Sequence, residues 1–305
     1  MLEEAEHATP DSIRTHYSEV YREMLAAGYT AVGEFHYLGA PEAFAAAEAA
    51  AEAGIAIVLL HVAYERGGLE RMRQPSVAAY LAEVEALREA GIAVGVAPHS
   101  VRACSRAWLE EIGAYAEREG LPLHIHADEQ PREIQECLAE HDCRPIELLA
   151  ETGCLSPLTT IIHATHANDE ELDHVAATGA RICVCPTTEA DLGDGFLRVS
   201  AVRERTIPLC IGSDSNMRID PLEELRELEG IARRQNGTRG VISTEDLLGI
   251  GTSDGAAALS LSSWAPVSID VDHRSLAGVA AEYVPAALIA GCAADVVARG
   301  APVAR

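Results

Sequence analysis

The chain has no lysine: all 23 of its basic residues are arginine, against 48 Asp and Glu, for a net charge of −25 at pH 7. A field of that sign repels nucleic acid and anionic membranes, so neither is expected as a partner. No apolar run approaches the ~20 residues needed to cross a bilayer. The first residues, Met1-Leu-Glu-Glu-Ala-Glu6, are acidic and do not read as a secretion signal, so the expectation is a cytoplasmic protein. No pair of the eight cysteines is spaced as CxxC. Cys183 and Cys185 sit in the apolar run Ile182-Cys-Val-Cys-Pro186 and read as strand core, not as metal ligands or disulfides. There are no internal repeats and no low-complexity linkers.

What is present is a 305-residue chain with 48% hydrophobic residues, enough for a large core. Short β-branched runs near 29–36, 55–62, 92–97, 121–127, 159–165, 181–186 and 207–213 alternate with Ala- and Glu-rich amphipathic stretches near 41–53, 75–90, 104–119, 131–151, 168–178 and 189–205. Further helices are predicted near 11–27, 220–235 and 244–257. Strands alternating with helices of ten or more residues mean βαβ units and a parallel sheet. Glu34, His36, His61, His99, His126, His163 and Asp214 fall at the C-terminal ends of these strands, on six of the seven. An α/β barrel of the TIM type collects its chemistry there, whereas an open doubly wound sheet concentrates it at one switch point. The pattern therefore predicts a (β/α) barrel over residues 1–262. Only seven of its eight strands are counted, and the one without a counterpart is the first. Residues 263–305 change texture: Pro266–Asp272 and Ala294–Val303 read as short strands around a helix at 276–290, a remnant of a small β-sandwich appendage.

The most informative segment is Leu123-His-Ile-His-Ala-Asp-Glu-Gln130. His124 and His126 are two apart and share one face of a strand. Two segments repeat the layout of an apolar strand ending in polar chemistry: Thr159–His166 and Ile207–Asp214. Imidazole and carboxylate are ligands for a divalent metal, and a catalytic site keeps one position for water. The metal brings that water's pKa towards neutrality. His126 and Asp214 are the candidate ligands. Glu129 is placed to carry the proton. His163 is placed to hydrogen-bond the water or the substrate's electrophilic end, and Asp214 could double as general base. His124 could serve in place of His126, and His166 reads as a loop or helix-start residue. Arg102, after His99-Ser-Val, is a candidate anchor for an anionic substrate, since guanidinium binds carboxylate in a bidentate fashion; a salt bridge to a nearby Glu is the plainer reading. Tyr37 would offer a hydroxyl at the same rim, and the loop Thr187–Gly195 a pocket wall.

These segments together resemble the amidohydrolase superfamily and, within it, the N-formimino-L-glutamate deiminases. Gly28–Tyr37, His99–Arg102, His124–Gln130, His163–His166, Thr187–Gly195 and Gly212–Ser215 run in the family's order. The resemblance implies a metal-dependent barrel hydrolase that releases ammonia from N-formimino-L-glutamate in histidine degradation. It implies one divalent metal ion, zinc or iron, held in part by His126 and Asp214. Glu129 and His163 take on proton transfer and activation, Tyr37, His99 and Arg102 surround a small anionic substrate, and the protein is a homodimer. The family's His-x-His pair on the first strand has no counterpart ahead of Gly28, so metal retention is the point on which activity turns. An inactive or binding-only relative, a shortened reading frame, and a deaminase of another amidine or nucleobase are the alternative expectations.

Overall fold

Seven strands, β1 (Ala31–His36), β2 (Ala56–Ala63), β3 (Val94–Pro98), β4 (Leu123–Ala127), β5 (Thr159–His163), β6 (Arg181–Val184) and β7 (Leu209–Ile211), pair in chain order in the computed structural model, which describes residues 2–298. Every pairing is parallel, and the curled sheet has β1 and β7 as its edges. The expected barrel is thus present with the seven strands read from the sequence.

The helices are α1 (Leu2–His7), α2 (Pro10–Ala27), α3 (Ala40–Ala53), α4 (Val77–Glu89), α5 (Arg106–Glu119), α6 (Pro131–His141), α7 (Pro145–Glu151), α8 (Asp169–Thr178), α9 (Pro186–Leu192), α10 (Val199–Glu204), α11 (Pro221–Asn236), α12 (Thr244–Ile250), α13 (Ser253–Ala258) and α14 (Val284–Gly291). Their ends follow local chemistry. In α2, Thr9 and Ser12 form a reciprocal cap ahead of Pro10, and Gly28 closes the helix at φ 105°. The single helix predicted at 131–151 is two, because Asp142 turns left-handed and Pro145 cannot continue a helix. The stretches at 189–205 and 244–257 are likewise each divided. The predicted helix at 276–290 shortens to α14. The two short strands expected beyond residue 262 are represented by one antiparallel bridge, Ile269 to Val297; residues 299–303 lie outside the described residues.

Side chains alternate between two layers, as strand geometry requires. Leu59, Val96, Ile125, Ile161, Ile182 and Val184 face the helices. Val58, Leu60, Val62 and Ala97 form one interior cluster, and Ile162, Cys183, Cys185 and Cys210 another. After α13 the chain turns into the barrel. Leu259 and Leu261 join the first cluster, and the Ala258 carbonyl accepts a hydrogen bond from His124 Nε2 at 2.9 Å. Gly33 permits that entry, since a Cβ there would stand 2.7 Å from Leu259 Cδ2. His124 is therefore committed to holding the barrel's contents.

Three strand-end residues expected at the active rim lie on the other face. Glu34 accepts a hydrogen bond from Tyr21 Oη in α2 at 3.1 Å. His61 Nε2 contacts Glu83 Oε2 in α4 at 2.8 Å, with its ring stacked on Tyr80. His36 stacks near His61 and meets Tyr17 edge-on. All three belong to the layer between sheet and helices. His36 is fully buried, and burial, reinforced by its neighbour His61, lowers its pKa to about 3. The unfolded chain takes up a proton below about 6.5 that the native ring refuses, so the stability His36 contributes is lost as pH falls from about 6.5 towards 3. Relative to His36→Leu, the wild type should lose up to ~1.4 kcal/mol per pH unit through that window. Urea unfolding of both proteins between pH 7 and 4.5 measures this, and parallel pH profiles would refute it.

Candidate active site

Seven of the residues singled out from the sequence, Tyr37, His99, Arg102, His126, Glu129, His163 and Asp214, converge at the C-terminal mouth of the barrel. His126, on β4, is buried and stacks on His99 with ring centroids 4.8 Å apart; its Nδ1 donates to the His99 carbonyl at 3.0 Å, which leaves the Nε2 lone pair free. Phe35 meets the His126 ring edge-on at 4.8 Å, and the His163 ring lies 5.5 Å away. Tyr37 and Tyr64 flank His99 at 5.8 and 4.7 Å. Burial lowers both rings' pKa values, His126 well below the usual range and His99 to about 3, with Arg102 adding to the effect on His99. Both imidazoles are held neutral, the form that can ligate a metal.

His163 is the geometric hub. Strand alternation places Ile162 inside the barrel and would send His163 outward. The backbone at His163 is left-handed instead, φ 74°, and Ala164 follows at φ 54°. That turn swings the imidazole over the mouth. Nδ1 donates to Glu189 Oε1 at 3.2 Å, and Nε2 makes no hydrogen bond within the described residues. Its nearest acidic atoms are Glu129 Oε1 at 3.8 Å and Asp214 Oδ2 at 3.9 Å. Burial alone would lower the His163 pKa; the Glu189 hydrogen bond and the carboxylates of Glu129 and Asp214 outweigh it and raise it. Asp214, beyond β7, is also left-handed, φ 43°, as is Asp128 at φ 54°. Such backbones cost ~1–3 kcal/mol each in non-glycine residues and cluster at functional sites.

Glu129 and Asp214 both have raised pKa values because burial disfavours their charge, partly offset by His163. Arg102 is the cation of the rim, with Nη2 at 4.0 Å from Glu129 Oε2 and Nε at 3.8 Å from Glu133 Oε1. These separations are too long for good hydrogen bonds, and the guanidinium is 41% exposed. It can turn to an incoming anion. Below the rim, Arg144 bridges Asp128, Glu171 and the His166 carbonyl, tying the β4 loop to the β5 loop. His166 Nε2 bonds the Asp194 carbonyl at 2.7 Å, consistent with a loop role.

Two participants were not singled out by sequence. Glu189, in α9, is buried and accepts from both His163 Nδ1 and the Cys185 backbone N–H. Read only as part of a pocket wall, it carries no strand-end signal. Cys185, read as strand core, has its sulfur in the same cluster as His163 and Asp214: one donor atom from each of the three lies within 4.8 Å of the others. A nitrogen, a sulfur and a carboxylate oxygen converging with a buried imidazole nitrogen left unpartnered is a donor set suited to a divalent transition metal. The Cys183 thiol, hydrogen-bonded to Cys185, lowers the Cys185 pKa; burial and the Asp214 carboxylate outweigh it, leaving the thiol at about 12.

A parallel barrel whose strand ends gather imidazoles and carboxylates around such a donor set defines the class of barrel hydrolases. Residues 2–264 match the Amidohydrolase family, and the chain belongs to that family. It is 34% identical over 275 residues to a formimidoylglutamate deiminase of Pseudomonas aeruginosa, spanning 83% of this chain and 60% of that protein. It is 29% identical over 247 residues to a 5-methylthioadenosine/S-adenosylhomocysteine deaminase of Halobacterium salinarum, spanning 79% of this chain and 56% of that one. The chain thus spans a little over half the length of these curated relatives. The crystal structure of an amidohydrolase from Brucella melitensis superposes with a TM-score of 0.85 at 30% identity, covering 95% of this chain and 74% of that one. An adenosine deaminase from Xanthomonas campestris, solved with bound zinc, shares the fold at TM-score 0.87 and 21% identity, covering 96% of this chain and 69% of that one.

Glu189→Ala removes the acceptor of two buried donors, each costing ~1–3 kcal/mol when left unpaired. The expected result is a lowered urea midpoint with an unchanged slope. A midpoint equal to wild type would show that neither contact matters to the fold.

Proposed function

We propose that this chain carries the catalytic barrel of a metal-dependent deiminase acting on a small anionic amidine, with N-formimino-L-glutamate as the substrate and N-formyl-L-glutamate and ammonia as products. The observation that carries the reading is the unpartnered Nε2 of His163 facing two carboxylates, Glu129 and Asp214, at the mouth of an amidohydrolase barrel. Asp214 and a neighbouring neutral imidazole, His126 or His163, would hold the metal, with zinc or iron both compatible with such ligands. When bound, a divalent metal makes water nucleophilic near neutral pH.

The chain's own residues do the rest. Glu129, with its pKa raised by burial, is suited to take the proton of the attacking water and return it to the departing nitrogen. Arg102, loosely paired and half exposed, anchors the substrate's carboxylate by exchanging its long contacts to Glu129 and Glu133 for short ones. Tyr37, Tyr64 and His99 wall the pocket and limit water. The arginine at the rim favours an anionic amidine over an uncharged nucleoside such as the 5-methylthioadenosine named for another relative, and the higher identity to the Pseudomonas deiminase supports the same reading.

Zinc-loaded protein assayed with N-formimino-L-glutamate and with 5-methylthioadenosine decides between them; turnover of the nucleoside alone would overturn the substrate assignment. Glu129→Gln should cut kcat by ~10²–10⁴ at unchanged metal content, and full activity would remove it from proton transfer. Arg102→Ala, losing a charged hydrogen-bonding partner of ~1.5–3 kcal/mol, should raise KM by ~10–100-fold with a smaller effect on kcat. An unchanged KM argues against the anchor.

A further inference from the structure

We infer that Asp194 is a specificity-determining residue of this site, its carboxylate accepting a hydrogen bond from the cationic amidinium end of the substrate. This rests on the amidine reading above and deepens it, by naming the group that reads the substrate's charge at its reacting end. An amidine is protonated at neutral pH, and the N-formyl product is not. A substrate of this class is anionic overall but carries a cation where the chemistry occurs. Arg102 answers its carboxylate, and the cation needs a partner of the opposite sign. Asp194 lies in the loop Thr187–Gly195, which the sequence presents only as a pocket wall.

The backbone holds Asp194 in place from both sides. Its N–H donates to the Glu189 carbonyl at 3.0 Å, and its own carbonyl accepts from His166 Nε2 at 2.7 Å. Gly195 follows at φ 122°, a backbone that glycine adopts without strain. Asp194 is 8% exposed, while Leu192 and Phe196, two residues to either side, stand in solvent. Gln130 Nε2 donates to Asp194 Oδ1 at 3.0 Å. Gln130 directly follows Glu129, so this bond ties Asp194 to the loop that carries the proposed proton carrier. Oδ2 is buried and has no partner among the described residues. The one side chain bonded to this carboxylate there is a neutral amide, and a buried carboxylate without a cation is costly. Asp194 also acts on the mouth at a distance. Burial chiefly raises the pKa values of Glu129 and Asp214, and the charge of Asp194 adds to the rise in both. A cation brought to this group of carboxylates relieves all three. An amidinium offers N–H donors, and a charge-assisted hydrogen bond to Oδ2 supplies the missing partner. When water replaces the terminal nitrogen, the amidinium becomes a neutral amide and the positive charge departs as ammonium. The attraction leaves with it, so Asp194 favours substrate over product.

The test is calorimetric binding of two probes of the same shape to the full chain supplied with zinc. One is the N-guanidino derivative of L-glutamate, which is cationic at the end that matters. The other is N-carbamoyl-L-glutamate, which is neutral there. The wild type should bind the cationic probe more tightly, by the ~10–100-fold that a charge-assisted hydrogen bond contributes. Asp194→Asn keeps the side chain's shape and its acceptor for Gln130 while removing the charge. It should shrink the preference by ~10-fold or more and leave the Kd of the neutral probe nearly unchanged. A residue that only latches the loop would instead weaken both probes alike, and that result overturns the inference. So does a preference in Asp194→Asn as large as in wild type. Equal binding of the two probes by wild type also removes Asp194 from charge recognition, with the anionic-substrate reading left standing. Binding of neither probe overturns that reading and the inference together. Should Asp194→Asn fail to fold, Asp194→Ser takes its place, and the comparison of the two probes in the wild type still decides.

Discussion

One buried carboxylate, Glu189, organises the mouth of this barrel. It sits a turn into α9, accepts the Cys185 backbone N–H that starts the helix, and accepts the His163 Nδ1 proton from the neighbouring strand end. A carboxylate with almost no exposure persists when its lone pairs are used, and these two contacts use one oxygen fully. The tautomer of His163, the direction of its free nitrogen and the place of Cys185 all follow from that arrangement. Glu224 repeats the device one step outward, accepting from the backbone N–H and hydroxyl of Thr187 and so fixing where α9 begins.

The electrostatics of the mouth run against those of the chain. A protein of net charge −25 with no lysine has placed Glu129 and Glu133 beside a half-exposed arginine and Asp214 beside His163. Burial raises the pKa of all three carboxylates, Glu133 to about 7, which means the native fold resists their ionisation. Carboxylates crowded in this way are stabilised by a cation, and Arg102 stands too far away to serve fully. A divalent ion held by Asp214 and a neighbouring imidazole would answer the deficit at the inner end, and would free Arg102 to face an anion at the outer end.

How far the sequence foretold this differs by element. The seven strands were legible because apolar β-branched runs alternate with long amphipathic helices, and their chemical loading was legible because it recurs at strand ends. His99, Arg102, His126, Glu129, His163, Asp214 and Tyr37 all reach one mouth. The facing of Glu34, His36 and His61 was not legible. Strands of a parallel barrel are buried on both sides, so β2, Ala-Ile-Val-Leu-Leu-His-Val-Ala, has no polar alternation to show which way a residue points. Cys185 was hidden for the same reason: a thiol in an apolar strand looks like any small hydrophobe until the neighbouring strand brings His163 beside it. Glu189 lies in a helix, and its partner is 26 residues away in the chain.

His163 also shows why strand parity alone misleads at a site. Counting inward residues along β5 ends at Ile162, and the next side chain belongs outside. The left-handed turn at His163 and Ala164 reverses that, at a conformational cost that no glycine relieves. The surrounding bonds hold it: Ala164 N–H donates to the Ala127 carbonyl and His166 N–H to the Asp128 carbonyl, so the strained turn is laced to the end of β4. Asp128 and Asp214 carry the same kind of backbone. Left-handed backbones occur elsewhere in the chain, as at Asp142 and Thr206, but Asp128, His163 and Asp214 bring three of them to the strand ends that meet at the mouth, where the placement of a few side chains outweighs local comfort. In this chain the favoured placement turns a histidine nitrogen, without a partner among the described residues, towards two carboxylates.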